Sequence, residues 1–90
     1  MPRMYLPTIM RKATEGSSTV SVEGSTVEQV LEGLVTSYPD LRSHLFSDKG
    51  DLLRHVLVIL NGEDIRSLDG VRTTVSDRDE LQLLPAMAGG

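Results

Sequence analysis

The stretch VLVILNG, residues 56–62, decides the fold. Its five consecutive apolar residues predict a buried strand over residues 56–60. The dipeptide Asn61-Gly62 supports the positive φ angles of a tight hairpin turn. We therefore expect the chain to turn back at once and to return through residues 63–65 as the neighbouring strand.

This predicted strand is apolar on both faces, although successive side chains of a strand point to opposite sides of a sheet. One helix can cover only one face, so either residues 56, 58 and 60 or residues 57 and 59 meet the core. Leu57 and Ile59 share their parity with the polar residues His55 and Asn61, and we assign them to the outer face. There they form a docking surface for a partner, or they are ordinary exposed apolar side chains.

One long helix is predicted before this strand. Apolar residues recur there at helical spacing: Val27, Val30, Leu31, Leu34, Val35 and Tyr38. The tetrapeptide STVE, residues 25–28, has the pattern of a capping box with Ser25 as the N-cap residue and Glu28 as its partner. Pro39 is expected to end the helix, and a short second turn is expected over residues 41–46.

Strands near the two ends of the chain complete the prediction. Residues 3–10, with Pro7 at an end or an edge, and residues 19–23 are expected to pair as an antiparallel hairpin around Gly16. After a turn at residues 77–79, residues 80–84 alternate polar and apolar side chains, as in a half-buried strand. The element order predicts an α+β fold, with a sheet of four or five strands packed on one main helix.

The last six residues, PAMAGG, lack the alternation that would continue the strand. We therefore predict a domain over residues 1–84 and a flexible tail over residues 85–90, which spans at most about 20 Å. Gly89 and Gly90 have no side chain to obstruct a narrow channel. The α-carboxylate at the end is a poor electrophile, but adenylation would let a sulfur or amine nucleophile displace AMP. The alternative is a frayed terminus without function.

Composition excludes several function classes. The 13 acidic and 9 basic residues give a net charge of -4, which repels nucleic acid and anionic lipid. No apolar stretch approaches the roughly 20 residues of a membrane span, and the first residues do not resemble a secretory signal, so we expect a cytoplasmic protein. The absence of cysteine excludes disulfides and a cysteine nucleophile.

No catalytic or metal-binding motif is present. His44 and His55 are isolated from each other, and the carboxylates of residues 77–80 do not follow a calcium-binding pattern. The sequence also lacks a serine-hydrolase elbow and a glycine-rich phosphate loop. We therefore predict a substrate or carrier rather than an enzyme, with no metal site.

Several longer segments carry a family resemblance: LPTIMR at residues 6–11, STVEQVLEGL at 25–34, HVLVILNGEDIR at 55–66, SDRDELQLLP at 76–85 and the final AGG. Through them, residues 3–90 resemble the ThiS/MoaD family of ubiquitin-like sulfur carriers. LPTIMR, NGEDIR and LLPAMAGG are most similar to the CysO-like carriers of actinobacteria. This resemblance implies the β-grasp fold, with a mixed sheet.

The resemblance also implies a function and a set of partners. An E1-like adenylyltransferase/sulfurtransferase using ATP and magnesium would activate Gly90, next to Gly89, and convert it to a thiocarboxylate. The tail residues Pro85, Ala86, Met87 and Ala88 would enter that partner's active site. In the CysO-like branch, a PLP-dependent cysteine synthase forms an aminoacrylate from O-phosphoserine, the thiocarboxylate sulfur attacks it, and a JAMM-type zinc peptidase releases cysteine.

ATP, PLP and zinc would belong to the partners, so this chain itself would bind no cofactor. Other members of the family serve as the small subunit of molybdopterin synthase or carry sulfur for thiamin, thiosugar or thio-tRNA synthesis. A function of another class also remains open, a ubiquitin-like modifier whose Gly90 is conjugated to lysine.

Overall fold

Five strands form one mixed sheet in the computed structural model, which describes residues 1–85. The strands are β1 (Arg3–Tyr5), β2 (Thr19–Ser21), β3 (Val56–Leu60), β4 (Glu63–Asp64) and β5 (Glu80–Pro85), and the helices are α1 (Val27–Ser37) and α2 (Arg42–Leu45). The sheet order is β2-β1-β5-β3-β4, with β1 and β5 parallel and the other neighbours antiparallel. The α+β class and the mixed sheet are confirmed. The predicted flexibility of residues 86–90 lies outside the described residues.

The hydrophobic core lies between α1 and one face of the sheet. The helix buries five residues of the predicted stripe, namely Val27, Val30, Leu31, Leu34 and Val35. The sixth, Tyr38, is the C-cap residue and packs against the core while only partly buried. The sheet contributes Met4, Val56, Val58, Leu60, Leu81 and Leu83, each at most 7% exposed. Both alternation patterns are therefore confirmed, since β3 points residues 56, 58 and 60 inward and β5 points Leu81 and Leu83 inward.

The first strand is shorter than predicted. It ends at Tyr5 and not at Met10, because Pro7 has no N–H to continue the ladder and the chain turns into a 3-10 helix at Thr8–Thr14. Met10 is still buried, but it reaches the core from this helix. The antiparallel pairing of β1 with β2 is confirmed, with Met4 opposite Val20, although β2 ends at Ser21 and not at residue 23.

The helix cap is one residue later than predicted. Thr26, not Ser25, is the N-cap residue, and its Oγ1 accepts from the backbone N–H of Gln29 at 3.2 Å. The Gln29 side chain, not that of Glu28, reaches back and accepts from the Ser25 N–H at 2.8 Å. The reason is a tertiary contact: the Ser25 carbonyl accepts from Val75 N–H at 2.9 Å, which holds Ser25 in the extended segment. As predicted, α1 ends just before Pro39, and Pro39–Leu41 with α2 forms the second turn.

The hairpin between β3 and β4 has the predicted turn. Asn61 and Gly62 have φ angles of 50° and 86°, and Leu60 lies opposite Glu63. The returning strand ends at Asp64 and not at residue 65, because the Asp64 carboxylate accepts from the Arg66 N–H at 2.9 Å and begins a 3-10 helix at Ile65–Ser67. A further 3-10 helix, Gly70–Arg72, leads to Val75, which is buried as expected.

Candidate partner-binding face and C-terminal exit

The face of the sheet opposite α1 carries a group of large side chains. Leu57 and Ile59 of β3 are half-buried, and neither packs in the core, so their predicted outward orientation is confirmed. Leu84 lies directly opposite Leu57, and Gln82 lies between Ile59 and Tyr5 in the neighbouring strands. We call these five residues, Tyr5, Leu57, Ile59, Gln82 and Leu84, the outer patch.

The outer patch is uneven rather than flat. Two open depressions of about 500 and 480 Å³ share Tyr5 and Gln82 in their walls. The first also includes Ile59 and the Asn61-Gly62 turn, and the second also includes Leu84 and Arg11. A half-exposed apolar surface with polar residues at its margin is typical of a protein-binding site.

The sequence alone identified Leu57 and Ile59 as members of the outer patch. It did not identify the two other large side chains with apolar surface, Tyr5 and Leu84. Leu84 has the same parity as the exposed residues Glu80 and Gln82, so the alternation of the last strand was a usable signal. Tyr5 carried no such signal, because its position beside Gln82 depends on the parallel pairing of β1 with β5.

A network of hydrogen bonds between polar groups lies at one end of the outer patch. The Tyr5 hydroxyl donates to Glu80 Oε2 at 2.9 Å, and the Asn61 amide donates to Asp79 Oδ1 at 2.9 Å. The backbone N–H of Ser76 donates to Asp79 Oδ2 at 2.8 Å. The hydrogen bond from the Ser76 N–H is the main cause that lowers the pKa of Asp79 below its usual value, and the hydrogen bond from the Asn61 amide is the second. The network ties the hairpin turn to the start of β5 and orients the Tyr5 ring.

The other end of β5 is where the chain leaves the described residues. Pro85, which we had placed in the tail, is the last residue of β5 and lies opposite Val56, so the folded body extends one residue beyond the predicted boundary. Because β5 is the central strand, the chain leaves from the middle of the sheet. The predicted tail residues Ala86, Met87 and Ala88, and the predicted reactive residues Gly89 and Gly90, lie outside the described residues.

Neither a metal-binding cluster nor a membrane-spanning helix is found among the described residues. Within residues 1–85, no group of three or more His, Asp or Glu side chains is placed to hold a metal ion. His44 is half-buried in α2 and His55 is exposed before β3, on separate elements. Over the same part of the chain, no helix is long and apolar enough to cross a membrane.

The chain is similar to known proteins along almost its whole length. Residues 4–90 match the ThiS family. The sulfur carrier protein CysO of Mycobacterium tuberculosis is 38% identical over 87 residues, covering 94% of each chain. Small archaeal modifier protein 1 of Haloferax volcanii is 40% identical over 78 residues, covering 83% of this chain and 85% of that protein.

The fold agrees with solved structures of such proteins. The crystal structure of the Amycolatopsis orientalis BexX/CysO complex contains a chain that superposes with a TM-score of 0.90, at 32% identity and with both chains fully covered. The sheet order and the single long helix described above are those of the β-grasp fold. The chain therefore belongs to the ThiS family, as a β-grasp sulfur carrier protein of the type that includes CysO and the small archaeal modifiers.

Proposed function

We propose that this protein carries sulfur as a thiocarboxylate on Gly90. In the first step, a Gly90 carboxylate oxygen attacks the α-phosphorus of ATP in an E1-like, magnesium-dependent partner, and pyrophosphate leaves. In the second step, a sulfide-equivalent donor attacks the acyl carbon, and AMP leaves with the bonding electron pair. The carrier supplies the acyl group, and the partner supplies the catalytic residues and the ATP site.

This proposal rests on the similarity to CysO, which covers 94% of both chains, and on the family match, which extends to residue 90. The geometry of the described residues supports it. The chain leaves the body at the end of the central strand, directly beside Leu84 and Leu57. A partner that rests on the outer patch is therefore next to Pro85, the last described residue before the tail sequence.

We propose that Leu57 and Ile59, with Tyr5 and Leu84, form the docking surface for this partner. These side chains are half-buried and do not pack in the core. An apolar surface of a partner would remove their remaining exposed area from water, which favours binding. Ala86, Met87 and Ala88 would then bridge the distance between the docked body, which ends at Pro85, and the partner's active site.

We propose cysteine biosynthesis as the pathway, because CysO is among the most similar proteins. The thiocarboxylate sulfur would attack the β-carbon of an aminoacrylate formed from O-phosphoserine by a PLP-dependent cysteine synthase. An S-to-N acyl shift would leave cysteine amide-linked to Gly90, and a JAMM-type zinc peptidase would hydrolyse that amide. We also propose the cytoplasm as its location, because these partner enzymes are expected there. The other sulfur pathways of the family, to molybdopterin, thiamin, thiosugars or thio-tRNA, are the alternatives.

Protein modification is the second candidate function. It is favoured by the 40% identity to small archaeal modifier protein 1. The same acyl adenylate would then be attacked, directly or through a thioester, by a lysine amine, which would give an isopeptide bond at Gly90.

Intact-mass spectrometry of the protein isolated from its own cells tests these proposals. Replacement of one terminal oxygen by sulfur supports the carrier, and a cysteine adduct on Gly90 supports the cysteine pathway. Isopeptide conjugates support the modifier. An unmodified terminus under sulfur limitation, together with no adenylation by any E1-like enzyme of the same organism, would refute both.

A further inference from the structure

Three arginines lie in segments next to the C-terminal end of β5. Arg11 lines the same depression as Leu84. Arg54 lies two residues before Val56, which is paired with Pro85. The Arg66 guanidinium donates through Nη2 to the carbonyl of Arg54 at 2.7 Å, which brings it to the same side. We call Arg11, Arg54 and Arg66 the exit arginines.

The exit arginines lack counter-ions within the described chain. Over residues 1–85 the one ion pair joins the Met1 amino group to Asp77 at 3.7 Å, so no carboxylate of that part lies within 4.0 Å of an exit guanidinium. Asp64, two residues before Arg66, uses Oδ1 to accept from the Arg66 backbone N–H. Like charges gathered without counter-ions repel one another, so folding stability does not explain the grouping.

The opposite end of the same strand carries charges of both signs. Asp77, Asp79 and Glu80 lie at the start of β5, and Glu63 follows the nearby hairpin turn. The six residues of β5 separate the two ends by roughly 17 Å at the usual rise of a strand. Arg3, which pairs with Glu80, lies among these carboxylates together with Arg78 and the Met1 amino group. The start of β5 is therefore of mixed charge, whereas the exit arginines have no carboxylate within 4.0 Å in residues 1–85.

We infer that the exit arginines bind carboxylates at the mouth of the channel through which a partner receives the tail. This inference rests on the proposed function, because it requires a partner that accepts the C-terminus. A guanidinium presents several N–H donors in a planar fork that matches a carboxylate. A group of three guanidinium groups is therefore suited to bind a partner surface that carries several Asp or Glu side chains. Such a surface attracts the exit arginines, which orients the end of β5 toward the partner.

The test measures ATP–pyrophosphate exchange by the E1-like enzyme of the same organism, with the full-length carrier as the varied substrate. The test variant is Arg54→Glu with Arg66→Glu. The matched control is Arg72→Glu with Arg78→Glu, which makes the same change in net charge. Arg72 and Arg78 are also exposed, and they lie in the segment that leads into the start of β5. Arg54→Glu is measured alone as well, because its side chain makes no hydrogen bond within residues 1–85, whereas Arg66 holds the Arg54 carbonyl.

We expect the test variant to raise the half-saturating carrier concentration at least tenfold at low salt, with a similar rate at saturation. The difference should shrink as salt rises, because salt screens the attraction. Arg54→Glu should show the same effect to a smaller extent, and the control pair should stay within twofold of the wild type. Equal half-saturating concentrations for test and control would overturn the inference while the proposed function stands. Failure of the wild-type carrier to support exchange would overturn the proposed function, and the inference with it.

Discussion

Leu83 and Leu84 provide a matched test of the two faces of the sheet. They are adjacent residues of the same type on the central strand, and both lie opposite β3. Leu83 is 0% exposed, inside the core, whereas Leu84 is half-buried on the outer patch. Replacing each by Ala removes the same atoms from opposite faces.

The structure predicts different costs for the two substitutions. Leu83→Ala leaves a cavity between the sheet and α1 and should lower the free energy of unfolding by about 3 kcal/mol. Leu84→Ala removes a side chain that is only partly buried and leaves no enclosed cavity, so only part of the transfer free energy of a buried leucine is lost, about 1 kcal/mol. The difference of about 2 kcal/mol corresponds to roughly 8–16 °C in melting temperature for a domain of this size.

The assay is urea unfolding followed by circular dichroism, combined with adenylation of each variant by the partner enzyme under conditions where both variants are folded. Leu84→Ala should raise the half-saturating carrier concentration about tenfold, because an apolar contact with the partner is lost. Leu83→Ala should leave this concentration close to that of the wild type. Equal losses of stability would refute the assignment of faces, and normal adenylation of Leu84→Ala would refute its role in docking.

Four further predictions concern Gly90 and Gly89 of the tail, Gly24 with Gly33 as its control, and the Asp79 carboxylate. Deletion of Gly90 should abolish adenylation with an unchanged melting temperature, because the core lies within residues 1–85; adenylation of the truncated chain, read by pyrophosphate exchange, would contradict this. Gly89→Ala should slow adenylation more than it affects folding, since a new Cβ meets the channel wall; wild-type turnover would argue against a narrow channel. Gly24→Ala should cost about 2 kcal/mol or more in urea unfolding, because its Cβ would lie 2.8 Å from the backbone N of Val30. Gly33→Ala is the control and should cost less, since its Cβ would lie 2.8 Å from a side-chain methyl of Val22 but 3.5 Å from the nearest backbone atom, the Glu23 carbonyl oxygen, and alanine favours the helix. Asp79→Ala should lower stability near neutral pH by about 1 kcal/mol. Because native hydrogen bonds hold the pKa of Asp79 below its usual value, its stabilisation is full above the unfolded-state pKa and is lost as the pH falls through the lower native pKa. The deficit of Asp79→Ala should therefore begin to shrink in urea titrations below about pH 4 and should shrink further as the pH falls through the lower native pKa; a deficit that stays constant over this range would show that the carboxylate charge is not its cause.

Local patterns in the sequence were sufficient for most elements of the fold. The apolar run before Asn61-Gly62 predicted β3, its turn and the outward direction of Leu57 and Ile59. The helical stripe predicted α1, and the alternation after Asp79 predicted β5. Each of these features depends on the period of side chains along one element or on the conformational preference of a single dipeptide, and both are encoded by residues close together in the chain.

Contacts between distant segments decided the rest. The helix cap moved to Thr26 because Val75 holds the Ser25 carbonyl. The parallel pairing of β1 with β5 placed Tyr5 beside Gln82, and so completed a patch of which sequence reasoning had found only the β3 half. The pairing of β1 with β5 brought Arg11 near the end of β5, and the pairing of Val56 with Pro85 brought Arg54 and Arg66 near the same end. No periodicity encodes such neighbours, because they depend on which strands pair and in what register, and those choices minimise the free energy of the whole chain rather than of any one segment.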